Sequence, residues 1–158
     1  MIEWYSERNE EISKVVQQNA PGNNQLTSPK IQKGLIHACA SQITIAILND
    51  IGNKFFSLMV DEARDSSVKE QMGVVLRYVN ENECVIEQFL AIVHVLDTSA
   101  ESLKKAIDTL FVQHSLSLSK LRGQGYDGAS NISGKFKWLK YLILQKNQCA
   151  IYVHYFSH

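Results

Sequence analysis

The sequence has little of what stiffens or cross-links a chain. It holds two prolines, Pro21 and Pro29, both in one short stretch. Its three cysteines, Cys39, Cys84 and Cys149, lie far apart and form no CxxC pair. That excludes a disulfide framework and points to reduced thiols in an intracellular compartment, nuclear or cytoplasmic. The cysteines are expected to pack as buried apolar residues rather than to act as nucleophiles. The first residues, Met1-Ile2-Glu3-Trp4, lack the apolar stretch of a signal peptide. Strongly apolar runs reach only about ten residues, short of the roughly 20 that a membrane span needs, so no membrane partner is expected. No internal repeat is visible. What remains is a chain of 158 residues, 45% hydrophobic and 20% charged. That is the size of one domain, with enough apolar residues for a core.

The formal net charge of zero hides an asymmetry. Residues 1–119 hold ten Lys/Arg and fifteen Asp/Glu, whereas residues 120–158 hold six Lys/Arg and only Asp127 as an acid. A neutral average over opposite halves leaves room for a basic face near the C-terminus, and equally for an ordinary solvated helix face.

Residues 3–18 carry Trp4, Ile12, Val15 and Val16 among charges and read as one helix ending near Asn19. Pro21 to Pro29 is the one clear linker, so residues 1–27 form a helical lead-in and residues 28–158 the main domain. Ser28-Pro29 reads as an N-cap followed by a first helical proline. The helix runs through Ile31, Leu35, Ile36, Ile43, Ile47 and Leu48 at helical spacing, and Gly52-Asn53 closes it. Phe55 to Val60 fits a buried central strand. Val74 to Val79 and Cys84 to Val95 are two more strands joined by a turn at Asn80 to Glu83, a hairpin. Thr98 or Ser99 caps the next helix, Glu101 completing a capping box with Thr98. Leu103, Ile107, Leu110 and Phe111 are its buried stripe. Leu116 to Leu121 reads as a fourth strand, followed by a glycine-rich turn. A helix with Phe136, Leu139, Leu142 and Ile143 and a fifth strand at 150–156 complete the chain. The order β-β-β-α-β-α-β is that of an α/β mixed sheet with helices on its faces, in which strand four can lie parallel beside strand one.

Several constellations could carry chemistry. Asp61 follows strand one and Asp127 follows strand four. If those strands are neighbours, the two carboxylates meet at one sheet edge, where they would hold hard divalent cations and leave room for phosphate. Either acid also reads as an ordinary strand-end residue. Gly123, Gly125 and Gly128 match G-x-G-x-x-G between a strand and a helix. Against a dinucleotide site, the turn follows the fourth strand, and residues 128–158 contain no acid to bind a ribose. Lys135, Lys137 and Lys140, with Lys146 beyond, follow Asp127; Lys137 and Lys140 share a helix face beside Trp138 and could contact phosphates. Cys149, His154 and His158 are loosely spaced for zinc. Asn131-Ile132-Ser133 reads as a chance glycosylation sequon.

Three segments carry a family resemblance. They are Phe56 to Glu62 with Gln71 to Val79, then Leu121 to Asn131, and then Tyr152 to His158. Over about residues 28–158 the chain resembles the hAT-superfamily transposase-derived proteins, the zinc finger MYM-type and TTF-type proteins with an hAT dimerisation region. The part resembled is a domain of unknown function. The resemblance implies an RNase H-like fold and a DDE-type nuclease and strand-transfer centre using Mg²⁺ or Mn²⁺. Asp61 matches the first family aspartate and Asp127 the second, with Glu62 and Asp65 in the first motif. The family's third acid, a downstream glutamate, has no counterpart in this sequence, nor have its zinc finger and dimerisation region. Tyr155 stands where the family usually has a cysteine.

The resemblance therefore implies an incomplete domain, a truncated or domesticated transposase remnant without turnover of its own. Two alternatives stay open. One is an interaction module binding DNA non-specifically or pairing with a longer relative. The other is an active metal-dependent nuclease or strand transferase.

Overall fold

The computed structural model describes residues 2–22, 28–64, 70–95, 97, 99–127 and 134–155. By internal contacts the chain divides into two units, residues 1–45 and 46–158.

In the first unit, the expected single helix over 3–18 is broken. It becomes α1 (Ile2–Ser6), α2 (Glu10–Ser13) and a 3₁₀ turn (Gln17–Asn19). Asn9 makes the break: its backbone is extended and its side chain accepts from the amides of Glu11 and Ile12, both at 3.1 Å. A short polar side chain that satisfies the free amides of a new helix start competes with continuing the old one. α3 (Pro29–Ile51) begins as expected, with Ser28 Oγ accepting from the Ile31 amide at 3.3 Å. Gly52, at φ +49°, ends it. Ile31, Leu35, Ile36 and Ile43 are exposed, while Ile47 and Ile51 are buried. At 23 residues, with a mean hydropathy of 1.2 over its most apolar window, α3 is the one helix among the described residues long and apolar enough to cross a membrane. The sequence reading missed this because His37, Gln42 and Asn49 interrupt every apolar run.

The second unit is built on a five-stranded sheet ordered β3-β2-β1-β4-β5. β1 (Phe56–Arg64), β2 (Glu70–Val79) and β3 (Val85–His94) are an antiparallel meander; β4 (Leu121–Asp127) and β5 (Ile151–Tyr155) run parallel to β1. This is the mixed, RNase H-like sheet the strand order called for. The β2–β3 turn is set by Asn80, whose side chain accepts from the amides of Asn82 and Cys84, both at 3.0 Å. α4 (Ala100–Gln113) is capped by Ser99, which accepts from the Ser102 amide at 3.2 Å. Ser102 thus occupies the position a capping box would give to Glu101, and Thr98 lies outside the described residues. α4 and α5 (Gly134–Lys146) pack together.

The core lies under these two helices. Leu103, Ile107, Leu110 and Phe111 of α4 and Leu139 and Ile143 of α5 join Leu58, Val60, Val74, Leu76 and Tyr126 in one buried cluster. Each such side chain contributes about 1.5–3 kcal/mol by leaving water. Sidedness is sharp on the middle strands. Phe56, Leu58 and Val60 are buried, whereas the alternate residues Ser57 and Met59 are half-buried and Asp61 is exposed.

The fourth strand is displaced from its expected place. Leu118–Lys120 forms a 3₁₀ turn, and the glycine-rich segment read as a turn is itself the strand. A period of two explains it: Gln124 and Tyr126 share one face of the strand, and Gly123 and Gly125, buried as well, take the alternate positions. A Cβ added to Gly123 would lie 2.5 Å from Ser57 Oγ. The glycine thus permits close approach to β1, and this also removes the loop a G-x-G-x-x-G site requires.

Two outcomes are expected. Gly123→Ala should destabilise the domain by about 1–3 kcal/mol, the usual cost of overpacking. The double variant Gly123→Ala/Ser57→Gly should recover most of it, as read by urea unfolding. The second outcome concerns Tyr78, which donates to Asp50 Oδ2 at 2.6 Å. Burial, then this bond, pushes the Tyr78 hydroxyl from 10.0 up to about 12. The folded state therefore favours the neutral phenol. Its stability is intact below pH 10.0 and lost as pH rises towards about 12. Tyr78→Phe should shrink that alkaline fall in melting temperature without abolishing it, because burial also raises Tyr126.

Candidate metal centre at the carboxyl end of the sheet

β1 and β4 run in parallel register through Ser57↔Gly123, Met59↔Gly125 and Val60↔Tyr126. The next residues are Asp61, which lies inside β1 rather than after it as expected because the strand continues to Arg64, and Asp127, the last residue of β4. Neighbouring strands lie about 4.8 Å apart, so the two aspartates that sequence reasoning singled out occupy adjacent steps at one end of the sheet. Asp61 is exposed and pairs across to Gly73 of β2; Asp127 pairs with Tyr155 of β5. The backbone thus brings the two positions together from segments 66 residues apart in sequence (61 and 127).

β4 is held there by a buried polar pair outside the sequence reading. Gln124 is 1% exposed; its Nε2 donates to the Ala150 carbonyl at 2.8 Å, and its Oε1 accepts from the Tyr126 hydroxyl at 2.6 Å. Burial raises the Tyr126 hydroxyl well above the ordinary tyrosine range, so it remains a donor. Its ring stacks on Tyr152 of β5, with centroids 5.9 Å apart. Buried polar groups persist only when hydrogen-bonded, and here the bonds tie β4 to the turn that starts β5. The alternation Gly-Gln-Gly-Tyr was the signal that could have revealed this.

Two carboxylates are a donor set of the kind a hard divalent cation takes. Carboxylate oxygens are the ligands Mg²⁺ and Mn²⁺ prefer, and adjacent steps of β1 and β4 carry two aspartates. No group of three or more His, Cys, Asp or Glu that could hold a metal occurs among the described residues. Asp65 lies outside them. So do His158 and Asn131.

The expected basic face is dispersed. Lys137 is exposed on α5, next to Trp138, which is 60% exposed and meets Tyr141 edge-on at 5.8 Å. Lys140 lies instead over the Tyr152 ring at 4.6 Å. Lys146 pairs with Asp108 of α4 at 3.5 Å. Lys135 begins the same helix. The cysteines correct the sequence reading: Cys39, Cys84 and Cys149 are all free and exposed. Cys39 sits on the solvent side of α3, and the other two lie in connections at strand starts.

Comparison with known proteins bears on this arrangement. The chain is 28% identical over 132 residues to the human "52 kDa repressor of the inhibitor of the protein kinase" and 26% identical over 132 residues to the mouse protein of that name. Each alignment covers 82% of this chain but 17% of the relative, so the chain spans about a sixth of their length. No solved structure matches it. The pattern of the DUF4371 family, described as the ZMYM1/FAM200 RNase-like domain, matches residues 1–138. That span takes in β1 to β4 and both aspartates, and the chain belongs to this transposase-derived family.

Proposed function

We propose that this chain is part of an hAT-type transposase domain that keeps a two-aspartate half-site for Mg²⁺ or Mn²⁺, Asp61 and Asp127, and lacks catalytic turnover of its own. The observation that carries the reading is the β1/β4 register, which sets the two acids on adjacent steps. A divalent ion bound there would act as a Lewis acid on a phosphate ester. The chain's own contribution is to hold two carboxylates on rigid strands while β4 is pinned through Gln124 and Tyr126. Two carboxylates suffice to bind one hard cation weakly, and the clamp on attacking and leaving oxygens needs more ligands than these.

A second reading is a nucleic-acid-binding module, nuclear or cytoplasmic; what supports the binding is the exposed Lys137 and the net positive charge of residues 128–158, which contain no acid and of whose lysines Lys146 pairs with Asp108.

Two measurements test the pair. Mn²⁺ titration followed by water-proton relaxation should show weak binding that Asp61→Asn or Asp127→Asn lowers by about tenfold or more. Indifference to both substitutions would sink the metal site. Incubation with supercoiled DNA and Mn²⁺ should leave it intact; nicking that Asp127→Asn abolishes would show turnover instead. For the second reading, duplex binding should weaken with salt, and Lys137→Gln should reduce the log–log salt slope by about one.

A further inference from the structure

At the end of the sheet opposite Asp61 and Asp127, two cations converge on one ring. Phe55, just before β1, is 53% exposed. The Arg122 guanidinium lies 3.8 Å from its ring centroid and the Lys120 ammonium 5.1 Å. Both cations are half-buried. Arg122 is fixed in place: its Nη1 donates to the carbonyls of Ser119 at 2.8 Å and Leu121 at 3.1 Å. The backbone that carries both is fixed too, because Asn147 Nδ2 donates to the carbonyls of Leu118 and Leu121, each at 2.7 Å. Among the described residues neither cation has a carboxylate partner, whereas Lys54, Arg77, Lys104 and Lys146 of the same unit each hold one. Around the pair the sheet presents small and apolar residues. Ser57 pairs with Gly123, and Gly123 with the exposed Ile151. Val79 and Val85, one step beyond the Phe56↔Tyr78 pair, face each other and are exposed. Arg77 and Glu87, on the row of Ser57, neutralise each other. Glu81 and Glu83 belong to the β2–β3 turn, two strands from β4.

A solitary surface cation is ordinary and solvated. Two held against one ring, over a pinned turn, repel each other and have lost much of their freedom before a ligand arrives. An added anion removes the repulsion. Two cations without a local acid match a dianion, and a phosphate monoester carries close to two negative charges at pH 7. With Nη1 occupied by carbonyls, Arg122 keeps Nε and Nη2, the edge that takes two phosphate oxygens at once. A nucleic-acid strand would call for further cations at successive phosphates, and Ser57, Gly123 and Ile151 supply none. We propose that the Lys120–Phe55–Arg122 clip binds a phosphoserine or phosphothreonine in an extended segment of a partner protein, with the apolar residues flanking that phosphate resting on Ile151 and Val79. This is recognition of a phosphorylated motif by clustered cations. Asp61 lies five residues beyond Phe56 on β1, about 17 Å away, so the clip stands whether or not the aspartates hold a metal.

The test uses the whole chain and a fluorescein-labelled octapeptide with one phosphoserine flanked by valines and no acidic residue. Fluorescence polarisation should show saturable binding, and the unphosphorylated peptide should bind at least about tenfold more weakly. Lys120→Gln, a change outside the core, should weaken the phosphopeptide by about fivefold and leave the unphosphorylated peptide unchanged. Arg122→Lys keeps the charge but not the planar fork, and should weaken it by about fivefold as well. Amide shifts on binding should concentrate at residues 54–57 and 118–123. Equal binding of the two peptides would overturn the proposal, as would indifference to either substitution, shifts placed elsewhere or no binding at millimolar peptide. A short single-stranded oligonucleotide gives the remaining arm: displacement of the labelled peptide at a lower concentration than the unlabelled phosphopeptide needs would assign the clip to nucleic acid and overturn the phosphopeptide occupant.

Discussion

The parallel pairing of β1 with β4 is the constraint on which the rest of the domain depends. It joins the antiparallel meander to the crossover half, closes the core over Leu58 and Val60, and sets the spacing of Asp61 and Asp127. The pairing rests on small details of β4. Gly123 has no Cβ to collide with Ser57 Oγ, and on the next residue a glutamine goes inward rather than an aliphatic side chain. That glutamine is tolerated because both ends of its amide are satisfied, one by the Ala150 carbonyl and one by the Tyr126 hydroxyl. Removing either partner would leave a buried polar group unpaired, at a cost of about 1–3 kcal/mol.

Much of this was legible in the sequence. The hairpin, the Ser28 and Ser99 caps, the stripe of α4 and the parallel neighbours β1 and β4 follow from turn chemistry, capping and hydrophobic period. The failures have physical causes. Arg122 to Asp127 looks like a turn because glycine signals flexibility, yet a strand that must pass close to its neighbour also selects glycine on one face. The break at Asn9 is a one-residue decision invisible to a hydrophobic count. The exposed cysteines show that residue type sets a preference for burial, while position decides it: Cys84 ends a hairpin turn and Cys149 precedes a strand. For the candidate site, sequence placed the two aspartates at the ends of strands one and four, but only the register shows them one step from the same pair.

The sheet is unequal on its two sides. α4 and α5 cover the face carrying Leu58, Leu76 and Tyr126. The opposite rows include Phe89, Ile92, Ile151 and Val153, all more than half exposed. Large apolar side chains in water are unremarkable singly, but alternate positions on outer strands form contiguous surface. Arg77 and Glu87 pair across β2 and β3 on the same side at 3.4 Å, an exposed ion pair of the kind that contributes little to stability. Most of what holds this sheet together therefore lies on one face.

Asp61 pairs with Gly73 of β2, and Gly73 with Ile92 of β3, so the three sit on one cross-strand row. Gly73 and Val75 of β2 pair with both neighbours at once, which ties β1 to the outer strand through a single layer of backbone. The Leu90 bulge lies opposite the step from Val74 to Val75, outside the row that carries Asp61, so the irregularity of the outer strand leaves the ladder beside that aspartate in register.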